Sequence, residues 1–421
     1  MPSPPSGEPL PANGALSEEA LGRGQEGPLG IYVHVPFCRV RCGYCDFNTY
    51  VPADLVSAPA DGALAEQRDH SGTNPATYVD VLSREIELAA GVLGQTTRSL
   101  STIFVGGGTP TLLPARDLVR VVELLRSTFG FVDGIEITTE ANPDTVDSAY
   151  LGALAEGGFT RVSLGMQSAV PHVLHTLERT HRPENVAKAV SAAAAVGLAT
   201  SVDLIYGAPG ESLDDWRRSL EAAISLEPDH VSAYALVVEK GTRMATQVRR
   251  GELSAPDDDD EADKYEIADD LLREAGYDWY EVSNWARTAA GVCRHNLGYW
   301  RGGHWWGFGP GAHSHIGGTR WWNVRHPRSY AQRVNRGLSP AEAGETLTEE
   351  QRYDEMVLLR SRLAEGLPVR MLRQDERSSV RALAEDGLIE HAPLSEPQDE
   401  PRVVLTRRGR LLADTVVHRL L

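Results

Sequence analysis

Cys38, Cys42 and Cys45 stand together in HVPFCRVRCGYCDFNTY (34–50), and the 421-residue chain has only one further cysteine, Cys293. A C-x3-C-x2-C spacing puts three thiolates on one short loop, and thiolates are soft ligands suited to iron–sulfur clusters or zinc. A closed structural zinc site takes four ligands, usually as two dyads, and no second dyad exists here. A cubane has four irons, so three cysteines leave one of them without a protein ligand. An open iron can take a small molecule through its amino and carboxylate groups, which gives a physical sense to three thiols rather than four. Remote Cys293 reads as a buried structural thiol.

Other residues with chemical potential lie at the ends of apolar runs. GGGTP (106–110) lets backbone N–H groups come close to a ligand, although a tight turn would use the same glycines. It is no Walker loop, because no Gly-Lys-Ser/Thr follows. Glu140 in EANP, Gln167 in GMQS and Asp203 in VDLIYGAP are polar groups where burial is costly without a partner. Each alone reads equally as a satisfied structural residue, and together they point to one site. Arg179 in LERTHRPENV suits a carboxylate or a surface ion pair. DDDDEAD (257–263) reads as a solvated loop entering a helix N-terminus, with a divalent-cation site as the minor alternative.

Six short β-branched runs must position these groups: 31–35, 102–106, 135–140, 161–167, 201–207 and 230–237. They are nearly continuous apolar runs, as in a parallel sheet buried on both faces. Amphipathic stretches at 78–90, 115–129, 148–158, 183–197 and 213–226 alternate with them, which predicts βαβ units and an α/β fold, a partial (β/α)6 barrel. Ligands of such barrels sit at the C-terminal strand ends. The predicted organisation is a disordered tail over 1–29, a barrel core over 30–245, an aromatic-rich accessory region over 246–340 and a C-terminal winged-helix-like α+β domain over 341–421. The Ala-, Asp-, Ser- and Gly-rich segment from Pro52 to Pro75 reads as an inserted surface loop. Seven of the eight tryptophans and His295, His304, His313, His315 and His326 fall between 279 and 326. Flat apolar walls and imidazoles suit a porphyrin, and an aromatic packing layer would have the same composition.

With these motifs assembled, the chain resembles the radical S-adenosylmethionine (SAM) superfamily. That resemblance implies a [4Fe–4S] cluster on Cys38, Cys42 and Cys45, whose open iron chelates SAM. It further implies SAM contacts from Tyr32, Tyr44, Gly107, Gly108, Thr109, Glu140, Gln167, Arg179 and Asp203, with Tyr44 at the adenine. YVHVPFC, CDFN, GGGTPTLL, EANPDT, SLGMQS, VDLIYGAPGES and CRHNLGYW together resemble the coproporphyrinogen III oxidase-like branch of porphyrin metabolism. The oxidases carry a further cysteine two residues after the third, where this chain has Phe47. The haem chaperones of the HemW type carry H-N-x-x-Y-W, matched by His295, Tyr299 and Trp300 in HNLGYW.

The expectation is a haem chaperone that binds haem, a [4Fe–4S] cluster and exchangeable SAM, and acts by binding more than by turnover. The rivals are an oxygen-independent coproporphyrinogen III oxidase and a radical SAM enzyme on another substrate. The expected partners are an unidentified haem acceptor and an electron donor for the cluster, with any membrane contact made through the acceptor. A net charge of -18 argues against nucleic acid. Neither a signal-like start nor an apolar run long enough to span a bilayer is seen, so the expected location is the cytoplasm. Oligomeric state is not legible.

Overall fold

The computed structural model describes residues 7–55, 73–94, 99–391 and 400–421, so most of the 52–75 insertion lies outside the described residues. Six parallel strands form the centre: β1 (Leu29–Val35), β2 (Leu100–Gly107), β3 (Phe131–Ala141), β4 (Arg161–Gln167), β5 (Ala199–Tyr206) and β6 (His230–Ala235). The crossover helices Pro75–Leu93, Ala115–Phe129, Ser148–Glu156, Pro183–Ala195 and Leu213–Ser225 fall where the amphipathic stretches predict them. Their starts are chemically marked: Asn74, Asp147 and Ser212 each accept a backbone N–H of the first turn through the side chain.

Alternate residues of each strand divide between two environments. Ile31, Val33, Val35, Ile103, Val105, Val162, Leu164, Val202, Leu204, Val231 and Ala233 join the main hydrophobic core with apolar residues of the crossover helices. The other face is polar: Glu140 on β3, Arg161, Ser163 and Gln167 on β4, Ser201 and Asp203 on β5, and His230 and Ser232 on β6 line one cavity. The strands are largely buried on both faces, as the runs predict, but the inner face is polar rather than apolar. The inner face encloses a cavity, and only the outer face has helices to bury against.

The aromatic-rich region extends this same sheet at both edges. β7 (Asp278–Glu281) and β8 (Asn284–Ala286) add antiparallel strands beyond β6, whereas β9 (His304–Phe308) pairs in parallel with β1. β10 (His313–Ile316), β11 (Thr319–Asn323) and β12 (Ala341–Thr346) complete a twelve-stranded sheet in the order β12-β11-β10-β9-β1-β2-β3-β4-β5-β6-β8-β7. β12 therefore belongs to the main sheet, and the closing unit begins after it.

That unit has a core of its own, built from Val357, Leu367, Leu383, Ile389, Val403, Val416 and Leu420 among others. Helices Glu349–Arg360, Arg377–Glu385, Arg407–Leu411 and Ala413–Leu420 surround the two-stranded pair β13 (Leu367–Pro368) and β14 (Arg402–Val403). The tail expectation also changes. Residues 7–28 include helix Glu18–Arg23, capped by Ser17, and Glu8 exchanges backbone hydrogen bonds with Gly344 on β12. Small residues rich in Pro and Gly can lie along an edge strand without packing a core of their own. Asp257 caps helix Asp258–Glu274, as the solvated reading of the acidic block expects. Among the described residues, no helix is long and apolar enough to cross a membrane.

Candidate functional site

The cysteine loop leaves the C-terminal end of β1 and is tied down at several points. Cys38 N–H donates to Tyr50 O (3.0 Å) and Tyr50 N–H to Pro36 O (2.7 Å). Asn48 Nδ2 donates to Pro310 O (2.9 Å) and Arg325 O (2.8 Å), while its own carbonyl lies 2.9 Å from His34 Nε2. Met244 N–H reaches Gly43 O at 2.9 Å, so the residues after β6 close the other side of the loop. The three thiols are free and face a cavity of about 550 Å³.

The glycine strip lies directly behind them. A Cβ on Gly108 would stand 2.4 Å from Phe37 O and 3.0 Å from Cys38 Sγ, and one on Gly107, at φ +112°, would stand 2.7 Å from the His34 ring. Only bare backbone fits at these two positions. Gly107 N–H donates to Glu140 Oε2 (3.0 Å), Thr109 Oγ1 lies 3.9 Å from Cys38 Sγ, and Arg179 Nη1 lies 3.8 Å from Cys42 Sγ. Arg179 also donates to Gly165 O (2.9 Å). Gln167, in the left-handed region at φ 62°, ends β4 beside it.

His295 and Tyr299 line the same cavity from its other end. They sit on helix Arg294–Trp300. His295 Nδ1 pairs with Thr102 Oγ1 (2.8 Å), and Thr102 stands opposite Gly30 and Glu136, near the strand starts. Five residues separate Gly30 from the end of β1, a rise of about 17 Å, before the cysteine loop begins. The histidine and the thiols thus belong to opposite ends of the strands and enter one cavity from two sides. Glu136 holds the helix in place: its carboxylate accepts Arg294 N–H (2.9 Å) and His295 N–H (3.0 Å). His295 is stacked on Phe104 at 5.3 Å, and its Nε2 pairs with Tyr299 Oη at 2.8 Å.

Burial dominates the electrostatics. It pushes the Cys38 thiol up to about 11 against the help of Thr109, and raises Cys45 too. A cationic iron centre is the partner that would release those protons. Burial, then the neighbouring Asp203 charge, lifts the Glu140 carboxyl to about 8, opposed by Gly107 N–H. Burial also raises Asp203, against two contacts from Ser163 Oγ at 3.0 and 2.9 Å. His295 is driven down to about 3 by burial, so its imidazole is neutral, as a metal ligand must be. The residues present fit an iron–sulfur cluster: three soft ligands on one anchored loop over a backbone strip with no room for side chains. Among the described residues, no three His, Cys, Asp or Glu side chains are gathered to hold a single metal ion. A cubane instead spreads its thiolates over separate irons.

Of the candidates named from the sequence, the three cysteines, the expected SAM contacts, His295 and Tyr299 line the cavity, whereas Trp300, His304, His313, His315 and His326 do not. The Trp300 side chain turns to Glu281. The expected porphyrin walls are corrected likewise, since no tryptophan lines the cavity. Trp306 packs edge-on to Trp321 (4.8 Å), Trp305 packs on Tyr299 (4.6 Å), and His304 stacks on His315 (5.7 Å). Sequence reasoning missed Arg161, Ser163, Ser201, His230 and Ser232. The signal was their alternation in RVSLGMQ, SVDLIYG and HVSAYA, where every second residue but Ile205 is polar or small.

Residues 32–223 match the radical SAM superfamily, the class that a three-thiol loop over a half-barrel defines. The heme chaperone HemW of Mycobacterium tuberculosis is 49% identical over 395 residues, 94% of this chain and 95% of its own. HemW of Bacillus subtilis is 33% identical over 395 residues, 91% and 97% respectively. The chain belongs to the HemW haem-chaperone family. The solved coproporphyrinogen III oxidase HemN of Escherichia coli, a radical SAM enzyme, has the same fold at 24% identity, with a TM-score of 0.76 over 96% of this chain and 92% of its own.

Proposed function

We propose that this protein binds haem in the cavity beneath its cysteine loop and passes it to an acceptor protein. Cys38, Cys42 and Cys45 would hold a [4Fe–4S] cluster. Glu140, the glycine strip, Gln167, Asp203 and Arg179 would receive SAM. The cluster, when bound, supplies an open iron and an electron. The chain's own residues set where ligands lie: the anchored loop fixes the thiols over the cavity, and the polar inner face offers fixed donors and acceptors.

The observation that carries this reading is continuity: one cavity joins the thiols to the neutral His295 imidazole. His295 Nε2 is held by a single exchangeable hydroxyl, Tyr299 Oη, and coordination would replace that hydrogen bond with an iron ligand. The test is anaerobic reconstitution, addition of haem, and visible absorption of wild type beside His295→Ala, with coproporphyrinogen assayed in parallel for CO2 release. Haem binding weakened in His295→Ala, without decarboxylation, is the expected result. Protoporphyrinogen formation would reject the chaperone reading. SAM cleavage with neither outcome would point to a radical SAM enzyme acting on another substrate.

A further inference from the structure

Arg161 opens β4 at the deep end of the cavity, 4% exposed, and lines its wall. Its Nε and Nη2 have no hydrogen-bond partner. Glu136 and Asp203 lie near enough to favour its charge, but their hydrogen bonds go elsewhere. Glu136 is used by the two N–H groups of the His295 helix, and both Asp203 oxygens accept from Ser163. His230 bridges Ser201 Oγ and Tyr280 Oη, each at 2.8 Å. A buried guanidinium whose donors are unmet demands acceptor oxygens from outside the fold. Its planar fork matches a carboxylate in a way that water or a hydroxyl does not.

Location separates this group from Arg179. Arg179 lies against Cys42 at the C-terminal strand ends, whereas Arg161 pairs across the sheet with Thr138 and Ala199 at the starts. Glu136, two residues before Thr138, also anchors His295. Arg161 and the His295–Tyr299 pair therefore share the deep end. Phe104, stacked on His295, gives that end an aromatic face.

We propose that Arg161 receives a carboxylate arm of the ligand bound beside His295; on the haem reading above, on which this rests, the arm is a propionate. The same chemistry exists in the SAM carboxylate, so the experiment separates the two. Reconstituted wild type, Arg161→Gln and Arg161→Lys are titrated with haem and with its dimethyl ester by visible absorption, and SAM binding is measured by equilibrium dialysis. Wild type is expected to prefer free haem over the diester by about tenfold, the scale of one charge-assisted hydrogen-bonded pair. Arg161→Gln is expected to lose that preference, Arg161→Lys to regain part of it, and SAM binding to stay unchanged in both. Equal affinity of wild type for haem and diester overturns the anchor, even where His295-dependent binding upholds the haem reading, and needs no variant to fold. Weakened SAM binding in Arg161→Gln assigns the carboxylate to SAM and overturns it too. Wild type that takes up neither porphyrin removes the haem reading and this proposal with it.

Discussion

Glu140 shows how the cavity prices ionisation at single residues. Its carboxyl, ordinarily near 4.5, is lifted to about 8 by burial and by Asp203. The folded state therefore holds a proton that the unfolded chain gives up between those values. The resulting stability is fully present below the unfolded pKa and is lost as pH rises through the folded one. Glu140→Gln fixes the protonated form in place. Its denaturation midpoint is expected to fall less than that of wild type as pH rises from about 4.5 to about 8. A wild-type profile as flat as the variant's would place Glu140 in a wetter setting. The cysteines and Glu140 were legible because the spacing of one, and the costly position of the other, stand out in sequence. Arg161 was not: at the head of an apolar run it looked like a flanking charge, and only the fold shows it facing inward.

Among the elements, the short helix Arg294–Trp300 depends on a residue far away in sequence. Glu136 on β3 satisfies two N–H groups of its first turn, the task normally done by an adjacent cap. Cys293, at the cap position, supplies no side-chain bond of that kind. Glu136→Gln leaves one acceptor oxygen and no charge, and is expected to cost about 1 kcal/mol. Amide exchange at Arg294 and His295 should speed up while that of β4 and β5 stays slow. Uniform acceleration would instead mean a general loss of stability. The six parallel strands and five crossover helices were readable from periodicity, since each buries one stripe locally. Strands β7 to β12 were hidden because the two that join them to the barrel, β8 on β6 and β9 on β1, pair with elements more than forty residues away in sequence, and the rest build outward from those two. The tryptophans there read as a porphyrin wall by composition. Composition does not say which face of an edge strand meets a ligand.

For the whole molecule, the most buried tie between the closing unit and the barrel is a single carboxylate. Asp269, on helix Asp258–Glu274, takes Arg407 Nε (2.9 Å), Arg410 Nη1 (2.9 Å) and Trp285 Nε1 (3.2 Å). Removing one partner of such a buried pair leaves charge uncompensated, a loss of about 3 kcal/mol. Asp269→Asn is expected to split a single calorimetric transition into two, with the closing unit melting first. Retention of one transition would show that the remaining ties suffice, among them Arg407 with Asp270, Arg301 with Glu365, Arg320 with Glu355 and Ala364 with Tyr280. The tie was beyond sequence reasoning because Asp269 and Arg407 look like ordinary surface charges until the closing unit docks.

The strands that separate the cysteine loop from His295 have a fixed pitch, and both of their ends are pinned by hydrogen bonds. The interval between those ends acts as a ruler that side-chain motion cannot shorten. Whatever communicates between the sulfur end and the imidazole end must do so by its own reach, which makes the dimensions of the guest, more than any hinge in the host, the quantity that sets which molecules engage both.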